Sequence, residues 1–366
     1  MAVICALRFD DYSGAIAGDE AYWFLRRRDS FFTEFLHQVL DEGASEKLGM
    51  TVAYGGTGNP SFQYEIARRT KQKTKELLAK LPLPEGQRPN LNDVEEIGRI
   101  LLGELHAVVH RRVDAALKLL YGFDTSDYTR GFFEANGARY DITQDSVKKL
   151  AKSWINSNDC AGGAKPIYEN FGILIGYDKR FGFRGFHING EKGVLATMSG
   201  GFDAIGPGKY ASALEFAKFL NNKTLDQRRN GLDRIEGLAG LIAATQRAGE
   251  YYHEAGGNIS VTIIDGRKPT HAERYREIHD DRARLAGELV TAWNWGQISK
   301  MVCYDLLDGL MFHAADIDGV EEQLFRRATD ARKLEKILRG YKIDWTAPEP
   351  AAAAAGREND VRGLEV

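Results

Sequence analysis

Cysteine is scarce in this 366-residue chain: Cys5, Cys160 and Cys303 are widely spaced, and none forms a CxxC pair. An odd number at that spacing argues against a disulfide scaffold and a thiolate zinc site, and it favours a reducing compartment. Charge of one sign is also lacking. A net charge of −3 and a pI near 6.3 predict no general attraction to nucleic acid or to anionic membranes. No apolar run is long enough to span a bilayer. Arg8, Asp10 and Asp11 interrupt the apolar start too early for a secretory signal. No repeat recurs at a solenoid period. What these absences leave is a cytoplasmic globular protein.

Hydrophobic residues make up 43% of the chain and charged residues 28%, which is ordinary for such a protein. The length permits a sizeable core, as two domains or as one large domain with insertions. Glycine is in excess at 39 residues, where usage of about 7% would give roughly 26.

Residues 2–9, "AVICALRF", read as a strand, "DDYSG" as a turn and "AIAGD" as a second short strand, so a hairpin is expected. The region 22–48 suits strand or helix equally. "MTVAYGG" at 50–56 reads as a buried strand stopped by Gly55 and Gly56, followed by a helix from Ser61 to about Leu81. Residues 91–158 read as helical, with a hairpin or loop at "FFEANGARYDITQ", and residues 159–166 as a linker. Strands resume at "YENFGILIGYD", "FRGFHING" and "GVLATMSGG". Then come the helix "KYASALEFAKFL", one long helix over 222–252 capped by Thr224, and the alternating strand "NISVTIID". Residues 269–342 read as almost wholly helical, and 343–366 as a disordered Pro/Ala-rich tail. This order predicts an α+β chain with two sheets between helix layers, not a Rossmann alternation.

Several local signals have plain structural readings. "GGTG" at 55–58 lacks the Lys-Ser/Thr of a phosphate loop and reads as a tight strand-to-helix turn. His106 and His110 share a helix face near Glu104, but without a third ligand or an HExxH frame they read as solvated. His271 and His279 sit among charges that suggest i,i+4 pairing on an exposed helix. "WNWGQISKMVCYDLLDGLMF" reads as core or subunit interface rather than a cofactor box. No cofactor and no metal are expected.

Four stretches resemble the proteasome β-type and bacterial proteasome-like peptidase family of N-terminal-nucleophile hydrolases. "VICALRFDDYSGAIAGDEA" resembles that family's first hairpin, closed by Ala17, Gly18 and Asp19. "TVAYGGTGNPSFQYEIARR" resembles its next strand-Gly-helix. "ILIGYDKRFGFRGFHINGEKGVLATMSGGFDAIGPGKYASALEFAKFL" resembles its strand-GYD-strand meander, with His187–Gly190 at the turn and Ala204–Gly208 before a helix. "TLDQ…HEAGGNISVTIID" resembles its later helix, Gly-Gly turn and closing strand. Together they cover roughly residues 2–62 and 165–266. The resemblance implies a four-layer αββα sandwich over 2–266, with a helical insertion at about 82–160 and a C-terminal helical extension at 267–342. It also implies a homo-oligomer, possibly a ring.

Chemistry of this class uses a side-chain hydroxyl or thiol on the first mature residue, with that residue's own α-amine as base. By the resemblance, Asp19 matches the hairpin carboxylate, whereas the nucleophile position falls on Ala2 or Val3, and neither side chain can attack a carbonyl. The first lysine, Lys47, falls after the family's lysine position, where the only basic residues are Arg26, Arg27, Arg28 and His37. Pro207 replaces the serine of the family's "AIGSG", and its later Asp and Ser fall near Tyr252 and Ala255. Ala2 is small enough for initiator-Met removal, which would free an α-amine with no nucleophile beside it. Cys5 is the alternative: cleavage after Ile4 would make it an N-terminal thiol, against a plain reading as a buried strand cysteine. Two functions follow. In one, the chain is an assembly or binding subunit without standard threonine-peptidase activity. In the other, it is a peptidase or amide hydrolase acting on peptide or protein through an atypical nucleophile such as Cys5.

Overall fold

In the computed structural model the described residues are 2–19, 21–24, 27–30, 35–80, 91–156, 171–190, 192–198, 200–252 and 256–339. Strand β1 (Ile4–Arg8) pairs antiparallel with β2 (Ser13–Asp19), placing Ile4 opposite Gly18 and Arg8 opposite Gly14. The Asp10 carboxylate accepts the amides of Tyr12 and Ser13 and so closes the turn. Both faces of this hairpin are buried, so alternate side chains enter two different cores. Ala2, Ile4, Ala6 and Ile16 join one core; Val3, Cys5, Leu7, Ala15 and Ala17 join the other.

The ambiguous stretch 22–48 resolves into a two-stranded ribbon, β3 (Ala21–Phe24) with β4 (Arg27–Ser30), then β5 (Leu36–Gln38) and α1 (Glu42–Leu48). Strand β6 (Thr51–Thr57) does not stop at the glycine pair but runs through it. Helix α2 (Pro60–Ala79) begins one residue before Ser61 and is capped by Asn59, because Pro60 takes the first helical position, where a missing N–H costs nothing.

The stretch 91–156 holds α3 (Val94–Tyr121), α4 (Thr125–Arg130), the hairpin β7 (Phe132–Ala135) with β8 (Ala138–Asp141), and α5 (Asp145–Asn156). Its far end has a small core of its own around Val113, Leu117, Phe123 and Ile142. The expected linker 159–166, Cys160 and the tail 343–366 lie outside the described residues.

The meander follows as β9 (Phe171–Asp178), β10 (Gly182–Asn189), β11 (Val194–Thr197) and β12 (Phe202–Ile205). Buried Asp178 organises the first turn, accepting from the amides of Arg180 and Phe181, from Val94 at the start of α3 and from Arg184. Helix α6 (Lys209–Asn221) leads to the stretch expected as one helix, which is two: α7 (Leu225–Asn230), capped by Thr224, and α8 (Arg234–Tyr251). They break at Gly231, whose φ of 120° favours glycine and whose missing Cβ would meet that of Asp10 at 2.8 Å.

After β13 (Ile259–Asp265) the expectation of continuous helix fails at once. A single turn, α9 (His271–Arg274), is followed by β14 (Tyr275–Ile278), which pairs with β13 as the edge of its sheet. Helices α10 (Asp280–Asn294), α11 (Lys300–Phe312), α12 (Ile317–Arg327) and α13 (Ala331–Arg339) complete the described chain.

The protein is α+β. One five-stranded sheet has the order β12-β1-β2-β13-β14 and the other β11-β10-β9-β6-β5, with every pairing antiparallel. Ile4, Ile16 and Ile264 of the first meet Ala53, Ile173, Ile175 and Phe183 of the second. The sheets come so close at Gly14 that a Cβ there would stand 2.3 Å from the Phe183 ring. On the opposite face of the first sheet pack Phe216 of α6, Leu238 of α8, Leu289 of α10 and Leu307 of α11. On that of the second, Phe62 and Ile66 of α2 and Ile97 and Leu101 of α3 cover Tyr54, Leu174 and Phe186. Each such fully buried side chain contributes about 1.5–3 kcal/mol. Among the described residues no helix is long and apolar enough to cross a membrane.

Candidate functional site

The start of β1 is held by a carboxylate. Val3 donates its amide to Asp19 Oδ1 at 2.7 Å, Asp19 returns its own amide to the Val3 carbonyl at 3.2 Å, and Gly256 donates to Oδ2. Asp19 is only 1% exposed. It sits at the end of β2 opposite Ile259, so it ties β1, β2 and the approach to β13 together. Ala2 and Val3 are fully buried, and neither carries a polar side-chain atom.

Cys5 lies two pairs further along β1, opposite Ala17 and Ala204, on the face turned to the helices. Burial pushes its thiol up to about 12; the nearby Asp19 and Asp203 charges add to that, and hydrogen bonds with Ser212 and Thr245 oppose it. In the intact chain that thiol is protonated at neutral pH and closed to a substrate.

The other sequence candidates are scattered. Lys47 is exposed at the end of α1. His37 is buried, but it stacks on Tyr54 and meets Tyr64, which places it on the helix side of β5 rather than beside Asp19. Arg27 and Arg28 lie on β4, while Arg26 and Ala255 lie outside the described residues. Pro207 forms the turn between Gly206 and Gly208 that opens α6, and Tyr252 is exposed at the end of α8.

His106 is exposed, with Nε2 3.2 Å from the Gly190 carbonyl oxygen, and His110 is exposed as well. Among the described residues no group of three or more His, Cys, Asp or Glu could hold a metal ion. His279 is exposed as expected, but His271 is not. It is 5% exposed, against Gln38 Nε2 at 2.6 Å and Thr51 Oγ1 at 3.5 Å, because the turn before β14 tucks it over the end of the second sheet. Burial, with Arg274 adding, pushes its imidazole down.

Two features had no signal in the sequence. Thr57 ends β6 with its side chain buried, and among the described residues its Oγ1 has no hydrogen-bond partner. It stands beside residue 2: a Cβ on Gly206 would lie 2.1 Å from the Ala2 carbonyl oxygen and 3.2 Å from Thr57 Oγ1. The second is a bridge between the two sheets, where His187 Nδ1 of β10 lies 2.7 Å from Asp203 Oδ2 of β12. Each pairing joins residues far apart in sequence or on different sheets, so no local motif announces it.

No family model matches the chain, and no curated protein matches it. Among solved structures it is similar to Anbu (ancestral beta-subunit) from Yersinia bercovieri, with 14% identity and a TM-score of 0.49, over 80% of this chain and 94% of that one. At this level of likeness, function rests on the residues themselves.

Proposed function

We propose that this chain is a proteasome-like protein of the N-terminal-nucleophile class, a four-layer αββα sandwich, that acts as an assembly or binding subunit without standard threonine-peptidase activity. The observation that carries the reading is the pairing of a retained carboxylate with an empty position. Asp19 holds the start of β1, yet Ala2 and Val3 offer neither hydroxyl nor thiol there. In this reading residues 2–266 are the core, about 82–160 the insertion, and 267–342 an extension that lends the core one strand. It also places the protein in the cytoplasm as a homo-oligomer, possibly a ring.

The second reading, a peptidase or amide hydrolase using Cys5, has Ser212 and Thr245 near the thiol, although their hydroxyls donate to the Ala244 and Leu241 carbonyls. Cleavage after Ile4 would be required, and it would remove the Val3 amide that Asp19 holds. Intact-mass analysis with a fluorogenic peptide assay on wild type and Cys5→Ala separates the two. An N-terminus at Ala2 with no turnover is expected. A mature N-terminus at Cys5, with activity lost in Cys5→Ala, would overturn the subunit reading.

A further inference from the structure

We propose that His187 and Asp203 form a second site, in which His187 Nε2 is a general base that activates water against short apolar acyl esters and Asp203 is its positioning residue. The two come from facing sheets, so two strand backbones set their separation. Asp203 uses both oxygens: Oδ2 faces His187 Nδ1 at 2.7 Å, and Oδ1 accepts the Ala204 amide at 2.8 Å. A carboxylate oriented in this way selects the Nδ1–H tautomer and leaves the lone pair on Nε2. Among the described residues Nε2 has no hydrogen-bond partner. The His187 side chain is 33% exposed, so the imidazole is part of the surface. An ion pair serving only to bridge the sheets has no need of a surface imidazole with an unpaired nitrogen.

The surroundings suit an apolar acyl group. The Phe171 ring lies beside the imidazole, with centroids 6.4 Å apart and the planes tilted by 54°. His187 has two cross-strand partners, exposed Ala196 and buried Ile173, and Asp203 has Ala6, so apolar side chains flank the pair. In the step itself, a water proton passes to Nε2 while the water oxygen bonds to the acyl carbon. The ester C–O bond then breaks, and the departing alkoxide oxygen takes the proton from the imidazolium, giving acid and alcohol. Asp203 stabilises the imidazolium formed between these transfers. An ester fits better than an amide, since an alkoxide leaves with less protonation than an amine requires.

The test is p-nitrophenyl butyrate hydrolysis by the full chain, with kcat/KM followed from about pH 5 to 9. His187→Gln is expected to lower kcat/KM about 100-fold, and His106→Gln to leave it unchanged. Asp203→Asn is expected to lower it about tenfold through kcat with KM unchanged, and nitrogen NMR of that variant is expected to show the Nδ1–H tautomer no longer selected. Wild-type turnover no faster than that of His187→Gln would overturn the proposal. An Nδ1–H tautomer kept unchanged in Asp203→Asn would overturn the positioning role. Thermal melts check that the variants fold. Should His187→Gln fail to fold, nitrogen NMR of the wild type decides: a proton on Nδ1 is expected, and a proton on Nε2 would overturn the assignment.

Discussion

Val3 and Asp19 exchange two hydrogen bonds: the Val3 amide donates to the Asp19 carboxylate at 2.7 Å, and the Asp19 amide donates to the Val3 carbonyl at 3.2 Å. The carboxylate also takes the Gly256 amide, so one buried side chain satisfies donors from two distant parts of the chain. Asp19→Ala removes the acceptor from both and is expected to cost about 3 kcal/mol of stability. Asp19→Asn keeps an acceptor oxygen and should cost less. Urea unfolding ranks the two, and equal losses would mean that the hydrogen bonds contribute little.

Gly206 has φ of 88° and no space for a side chain, since a Cβ would stand 2.1 Å from the Ala2 carbonyl oxygen. Gly206→Ala is expected to destabilise the protein by at least about 2 kcal/mol, through backbone strain and displacement of the start of β1. A melting temperature within a degree or so of wild type would show that β1 can shift to make room.

Thr57 carries a buried hydroxyl without a hydrogen-bond partner among the described residues. Such a group loses its bonds to water on folding and gains none in return, which costs about 1–3 kcal/mol. Thr57→Val keeps the shape and removes the hydroxyl, so the melting temperature should hold or rise. A clear fall would show that the hydroxyl has a partner in solution.

Burial pushes the His37 imidazole down from 6.5 to about 4. The unfolded chain therefore binds a proton that the folded chain refuses throughout that window. Stability rises with pH wherever the unfolded state binds more protons, so it falls as pH drops from 6.5 toward 4. The loss from this residue approaches about 3 kcal/mol at the acid end. Urea midpoints at pH 7.5 and pH 5 should differ less in His37→Phe than in wild type, and identical differences would remove His37 as the cause.

Cys5 is fully buried with its thiol pushed up to about 12, and Cys303 is likewise buried and raised to about 12. Neither should be alkylated by iodoacetamide in the folded protein at pH 8, while both should react in urea. Peptide mapping reads each site separately. Rapid native labelling of Cys5 would revive its candidacy as a nucleophile.

Local pattern was enough for elements whose own residues decide them. The first hairpin was legible because apolar strands flank "DDYSG". The alternation in "NISVTIID" announced β13, and Asn136–Gly137, both with positive φ, mark the β7–β8 turn inside the long helical stretch. The sequence alone also placed Asp19 at the end of the second strand.

Elements decided by distant neighbours were not legible. "YREI" has no strand signature of its own; Tyr275–Ile278 is a strand because β13 had an open edge to pair. Gly231 breaks a long helical pattern because Asp10, remote in sequence, occupies the space beside it. His271 lies in a charged stretch typical of an exposed helix, yet packing against Gln38 and Thr51 buries it. The orphaned Thr57 hydroxyl and the His187–Asp203 bridge belong to the same class. Periodicity and turn chemistry act over a few residues, so they fix strands and helices. Burial and side-chain pairing depend on which strands face each other, and only the packed sheets decide that.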